Sequence, residues 1–413
     1  MICILKVIII MTHVIRCTEC KKIEKDNKTQ NCQQCGGILE CVYSKEALRT
    51  LKEKRNGRGL VRFVPMLPVE KKFLPYLGES QTPLLSSKAL SKKLGLANLF
   101  FKDETRNPTG SFKDRGICVS VGMALKMKSK GIMTVSSGNA AASLSTYAAA
   151  CQLPCLVLVD SDASPNKLEQ IIYMGAKCIK IDGIFDRGVK PLAKTIIEVS
   201  QSLGYWCAFS WAPLNPYSVE GTKTIAYECA CIKPDVVICP VAGGDNLAGQ
   251  WKGYRELYEA AVLKEMPRMI GVQPRGSSPL VLAYSRRDKC VSPIAKANTI
   301  VSGLKTTFSG DHALKAIYES GGCAIEIEDE EILKYKKLLA KLEGIWVETS
   351  SAITVAALPM LLESGMINPE ERILCVLTGA GYKEQINIDI GQSIEVADFD
   401  HGDIIEKFLK LAM

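Results

Sequence analysis

The stretch Asn107–Gly116, N-P-T-G-S-F-K-D-R-G, decides how the rest of this chain is read. Before it, Leu99–Lys102 (L-F-F-K) predicts a buried strand; after it, Ile117–Lys130 carries the apolar spacing of a helix. The Pro-Thr-Gly turn between them lifts Lys113 to the start of a helix in apolar surroundings. Desolvation disfavours an ammonium and lowers its pKa from about 10.4. The neutral amine that results is able to form a Schiff base with a carbonyl. A surface lysine in a loop-to-helix turn is the ordinary alternative, and the flanking P-T-G and D-R-G argue against it.

The chain has 413 residues, 47% of them hydrophobic, enough for a large core and two or three domains. Its net charge of +8 is scattered apart from Lys52–Arg58 (K-E-K-R-N-G-R). Without interleaved aromatic residues that cluster reads as a solvated linker, not a nucleic-acid surface. Seventeen cysteines without secretory features point to a reducing cytoplasm. The apolar run Ile2–Met11 is too short to span a bilayer and lacks the marks of a signal peptide, so no membrane partner is expected. It reads as an extra tail or a buried strand, and Met11 stands as an alternative start. The three histidines, His13, His312 and His401, neighbour no nucleophile motif, which argues against triad hydrolysis and His-ligated metal catalysis.

Cys17-x-x-Cys20 and Cys32-x-x-Cys35 stand eleven residues apart, with Gly36-Gly37 after the second pair. Two such knuckles predict a four-cysteine zinc ribbon, structural because four thiolates leave no open coordination position. A redox pair is the rival for either knuckle alone. A polar linker, Lys45–Gly59, leads toward Thr82-Pro83-Leu84. From Leu99 onward, strands and helices alternate. Strands are predicted at Gly131–Ser136, Cys155–Val159, Lys177–Ile181, Val236–Cys239, Met269–Gln273 and Ile373–Leu377. Helices are predicted at Ala140–Cys151, Asn166–Met174, Phe185–Ser202 and Ser350–Leu362. This α/β alternation predicts mostly parallel sheets flanked by helices.

Two further segments join a strand to a helix. Ser136-Ser137-Gly138-Asn139 offers hydroxyls and backbone N–H groups to an anion at a helix start. In Ala242-Gly243-Gly244-Asp245-Asn246, small residues let successive N–H groups converge on a phosphate.

Taken in order, these segments and Thr378–Glu384 (T-G-A-G-Y-K-E) resemble threonine synthase and its relatives, the pyridoxal-phosphate (PLP) enzymes of the tryptophan-synthase-β fold, fold type II. The resemblance runs from about residue 13 to about residue 390. It implies two PLP-fold domains plus the ribbon: 13–45 as ribbon, 46–115 with 231–400 as the large PLP-binding domain, and 116–230 as a small mobile domain. It implies that Lys113 carries PLP and that Asn139 contacts the phenolic oxygen. Ala242, Gly243, Gly244, Asp245 and Asn246 would hold the phosphate, with Thr378 facing the pyridine nitrogen. Ser136, Ser137 and Asn139 would grip the carboxylate of a small amino-acid substrate. A homodimer is implied as well.

The cofactor side departs at Asp245, and the other departures lie on the substrate side. Asp245 replaces a usual Gly, and its carboxylate is expected to point away from the phosphate. Ser218 stands where an Arg binds substrate phosphate, Ala212-Pro213 where Asn-Ser is expected, Ala140 where Thr is common and Ala380 where His is common. Lys223, Arg187 and Lys167 are candidate replacement cations by position. The leading expectation is a threonine-synthase-type lyase acting on O-phosphohomoserine. The alternatives are a β-replacement or β-elimination enzyme on a serine-like substrate (a cysteate- or cysteine-synthase-like enzyme or a dehydratase), and a catalytically inactive binding module.

Overall fold

A computed structural model describes residues 12–24, 31–53, 56–161, 163, 165–184, 189–384, 405, 407 and 410. The run Ile2–Met11 and Arg187 lie outside the described residues, as does the side chain of Lys167. Strands β1 (His13–Cys17), β2 (Ile23–Glu24) and β3 (Leu39–Tyr43) form a small antiparallel sheet in the order β2-β1-β3. Then β4 (Leu84–Ser86) and β5 (Asn98–Asp103) begin a second sheet, which the chain leaves to build a third. That third sheet contains β6 (Gly131–Val135), β7 (Cys155–Asp160), β8 (Lys177–Ile181) and β9 (Tyr205–Cys207), all parallel in the order β8-β7-β6-β9. The chain returns with β10 (Val236–Pro240), β11 (Arg268–Pro274), β12 (Cys323–Ile327) and β13 (Arg372–Leu377). These complete a six-stranded sheet, β12-β11-β10-β13-β5-β4, parallel except for the β4–β5 pair.

The central strands β6 and β10 are buried along their whole length, as helices on both faces of a parallel sheet require. Among the described residues no helix is long and apolar enough to cross a membrane.

Three local expectations are corrected. The predicted helix Ser350–Leu362 is two helices, Thr349–Ala356 and Leu358–Glu363, because Pro359 lacks the N–H that would continue the first. The expected linker Lys45–Gly59 is helical over Lys45–Arg49 and Thr50–Lys52, with Leu51 buried. The lysine helix runs Lys113–Lys126, four residues earlier at each end than its apolar spacing suggested.

Buried charge fixes the start of that helix. Arg115 is fully buried, its Nε 2.6 Å from Glu104 Oε2 and its Nη2 2.9 Å from Glu228 Oε2. Lys102 donates to Glu228 at 2.7 Å and to the Thr82 carbonyl at 2.6 Å. Charges this deep are tolerated only when paired and hydrogen-bonded. The helix Pro216–Thr222 presses directly on the lysine helix. A Cβ on Gly221 would lie 2.0 Å from the Arg115 carbonyl oxygen, and one on Gly116 would lie 2.8 Å from that of Ser218.

A second buried cluster joins the cysteine-bearing sheet to this same helix pair. Tyr43, ending β3, donates to Glu220 Oε2 at 2.9 Å, and Lys252 donates to the Cys41 carbonyl at 2.6 Å and pairs with Glu220. Lys223 lies 2.6 Å from Glu220 and 3.0 Å from Glu256, with its ammonium 3.8 Å from the Tyr43 ring centre. Burial pushes the Glu220 carboxyl up, but Lys223 and Lys252 outweigh it and hold its pKa at about 2. A carboxylate depressed in the folded state stabilises the fold above its unfolded pKa, and that stabilisation fades as pH falls through the folded value. Glu220→Gln is therefore expected to cost about 3–5 kcal/mol at neutral pH. Urea unfolding at pH 7 and pH 3 should show the deficit shrinking at the lower pH; an equal deficit at both would contradict this account.

Candidate active site

The turn ahead of Lys113 is held at both ends. Gly110 takes φ +77° and its N–H bonds the Asn107 carbonyl at 2.8 Å. Thr109 donates its N–H and hydroxyl to Asp114 at 2.7 and 2.6 Å, and Ser143 adds a third donor at 2.6 Å. Burial pushes the Asp114 carboxyl up to about 6 despite these donors. On the other side, Phe112 N–H bonds the Thr378 carbonyl at 3.0 Å, and Ala380 N–H bonds the Gly110 carbonyl at 2.9 Å. The T-G-A segment after β13 and the lysine loop are thus joined backbone to backbone.

Lys113 is the first residue of its helix. Its ammonium donates to Ser210 Oγ at 2.8 Å and lies 4.8 Å from the Phe112 ring centre. Burial pushes its pKa below the ordinary lysine value, while Asp245 and Glu348 act in the opposite direction. The residue as a whole keeps partial exposure, so the amine is enclosed by protein yet the side chain is reachable.

Ser136-Ser137-Gly138 leads from β6 into the helix Asn139–Ala150, with the Ser136 hydroxyl accepting from Gly138 N–H at 3.1 Å. Asn139 Nδ2 lies 3.0 Å from both carboxylate oxygens of Glu348. Burial pushes the Glu348 carboxyl up, opposed by its bonds from Ser350 and Asn139. Glu348 fills the space where a Cβ on Gly379 would sit, 2.2 Å from its Oε1. Thr378 is buried, its hydroxyl 3.1 Å from Ser351 Oγ, which also accepts from Gly379 N–H at 2.8 Å.

The loop after β10 reaches the helix Asp245–Glu259 through Gly244, whose φ of +102° suits glycine. A Cβ on Gly243 would lie 3.2 Å from the Trp211 ring, and one on Gly244 would lie 2.7 Å from Ala313 Cβ. The buried N–H groups of Asn246 Nδ2 and Trp211 Nε1 have no protein partner. A tight backbone turn at the head of a 15-residue helix, flanked by unpaired donors, fits a phosphate group. Together with the enclosed Lys113 amine, these residues fit PLP. The Asp245 carboxylate is turned onto Ala212 N–H at 2.9 Å and His312 Nε2 at 2.8 Å.

At the other end of the chain, the four sulfurs of Cys17, Cys20, Cys32 and Cys35 lie within 4.8 Å of one another. Glu19 and Gln34 each donate a backbone N–H to a knuckle sulfur at 3.4 Å. A Cβ on Gly37 would lie 2.9 Å from Cys17 Sγ. Four thiols converging on one point fit a tetrahedral metal site.

Lys223 is spent on Glu220 and Glu256 beneath Tyr43, far from the role of a substrate cation. Ser218 is buried, its hydroxyl donating to the Asn215 carbonyl at 3.1 Å. Sequence reading missed Ser210, Glu348, Ser351 and His312. Each is distant in sequence from the group it touches, by 97, 209, 27 and 67 residues respectively. No local motif marks them.

Residues 76–379 match the family described as pyridoxal-phosphate dependent enzyme, and the chain belongs to that family. It is similar to the threonine synthase of Methanocaldococcus jannaschii, 38% identical over 386 residues that cover 89% of this chain and 92% of that protein. The threonine synthase of Methanosarcina acetivorans is 33% identical, covering 93% and 96%. Among solved structures, a T.th. threonine deaminase aligns with a TM-score of 0.61 at 26% identity over 74% of this chain and 94% of that one. Maize serine racemase aligns at 0.63 and 23% identity, over 80% and 92%, a likeness of fold alone. The chain is accordingly a PLP-dependent, threonine-synthase-like lyase of fold type II.

The electrostatics of Lys113 give a direct test. Asp245 and, after it, Glu348 favour the protonated amine against burial, so Glu348→Gln is expected to lower the pH at which Lys113 becomes nucleophilic in the cofactor-free protein. Competitive acylation against pH, read by peptide mass mapping, should show that midpoint moving down. An upward shift would contradict the arrangement.

Proposed function

We propose that this chain converts O-phosphohomoserine and water to threonine and phosphate, with Lys113 carrying the cofactor. The observation that carries the reading is the enclosed Lys113 amine on Ser210, in a chain 38% identical to a threonine synthase. Ala242, Gly243, Gly244, Asp245 and Asn246 would form the turn for the cofactor phosphate, with Asn139 holding its phenolic oxygen and Thr378 its ring nitrogen. A neutral hydroxyl at Thr378 does not hold that nitrogen protonated, which suits elimination and replacement over transamination. When bound, PLP supplies an electron sink that acidifies C–H bonds of the attached amino acid. Ser136, Ser137 and the helix start at Asn139 hold the substrate carboxylate. Lys113, as a free amine, takes the Cα proton and moves protons at Cα and Cβ; desolvation shifts it toward the neutral form that this work needs. The proposed working unit is a cytoplasmic homodimer in which 116–230 moves against 46–115 and 231–400.

A second reading has its own support. Ser218 and Lys223 offer no cation to a phosphate dianion, which favours β-elimination or β-replacement on a serine-like substrate. Phosphate release from O-phosphohomoserine, assayed beside ammonia release from L-serine and L-threonine, separates the two. Phosphate release at a kcat/KM at least a hundredfold above the ammonia-releasing reactions is the expected result. Ammonia release alone would move the second reading ahead.

We further propose that Cys17, Cys20, Cys32 and Cys35 bind one structural zinc per chain. The converging sulfurs and the glycine at Gly37 support it. Metal analysis of Cys32→Ser/Cys35→Ser should show the zinc lost. Because β3 closes the Glu220 cluster, a fall of several degrees in Tm is expected with it. Unchanged zinc content would refute the ligand set.

A further inference from the structure

Two of the departures from the family pattern touch each other in the fold. Asp245 stands where Gly is usual and Ala212 where a polar pair is expected, and the Asp245 carboxylate accepts the Ala212 N–H at 2.9 Å. The same oxygen lies 2.8 Å from His312 Nε2. Asp245 is buried, and its other oxygen, like His312 Nδ1, has no protein partner. His312 belongs to a segment laid flush against the phosphate turn. Ser309 donates to the Ala242 carbonyl at 2.7 Å, and Phe308 meets the Trp211 ring edge-on at 5.3 Å. Ala212 in turn lies two residues from Ser210, the acceptor of the Lys113 ammonium.

We propose that Asp245 and His312 are a positioning pair for Lys113: the carboxylate fastens the 210–212 loop to the head of the cradle helix, so that Ser210 stays on the lysine amine. The proposal rests on the reading of Lys113 as the cofactor lysine. Ala212 needs no side chain for this role, because its backbone N–H makes the contact. A carboxylate is a stronger acceptor for that N–H than any neutral group, and His312 holds it in the one orientation that reaches the loop. The pair also explains how an acidic residue is tolerated at the phosphate turn. One of its oxygens is directed sideways, onto the Ala212 N–H and the imidazole.

The test uses Asp245→Ala, Asp245→Asn and His312→Ala in the holoenzyme, with two readouts. Hydrogen exchange of the 208–215 segment reads the loop, and kcat for the reaction the wild type catalyses reads the lysine. Asp245→Ala is expected to speed exchange and to lower kcat, each roughly tenfold or more, with KM little changed. Asp245→Asn keeps an oxygen acceptor, so it should recover a large part of both losses relative to Asp245→Ala. His312→Ala should move both readouts in the same direction by a smaller factor, and it carries the test alone if Asp245→Ala does not fold. Unchanged exchange in Asp245→Ala or, failing that, in His312→Ala overturns the proposal. Faster exchange with wild-type kcat overturns it as well, as does an Asn variant no better than the Ala variant. A pyridoxyl label found on a lysine other than Lys113 in the wild type would instead defeat the cofactor assignment.

Discussion

Arg115, buried between Glu104 and Glu228, is the anchor on which the lysine loop depends. A guanidinium this deep cannot be left half-paired, so Lys102, Thr82, Ser80 and Thr224 complete its surroundings. Two residues earlier in the same helix stands Lys113. The geometry that encloses its amine therefore follows from charges largely withdrawn from solvent. Asp114 does the same on the adjoining helical face, bonding back to Thr109 in the turn. The K-D-R triplet thus places one enclosed amine and two side chains that hold it there.

The four-cysteine module is part of this arrangement. Tyr43 and the Cys41 carbonyl close a cluster whose carboxylate, Glu220, sits beside Gly221, and Gly221 packs on the Arg115 backbone. A disturbance at the cysteines would reach the lysine helix through one strand and one helix. That continuity gives a structural reason for a small four-cysteine module on an enzyme whose fold is built around the lysine helix.

Much of the fold was legible because its signals are local. Short apolar strands between turn residues gave the alternation, and glycine-rich segments at strand ends marked the helix starts that face the site. The Lys113 loop was legible for the same reason, since its turn, its lysine and its two holding residues are contiguous. The partners that finish the site were not. Ser210 reaches Lys113, Glu348 reaches Asn139, and His312 reaches Asp245 only once the sheets are assembled. Lys223 shows the converse error. Its position along the chain suggested a substrate cation, but two nearby carboxylates and an aromatic ring had already claimed it. Pro359 was a local signal, and it breaks the helix predicted across it.

Borohydride reduction of the holoenzyme, followed by peptide mass mapping, tests the central claim most directly. The account predicts a pyridoxyl group on Lys113 and on no other lysine. Its appearance on another residue, or no label on a cofactor-loaded protein, would contradict the account.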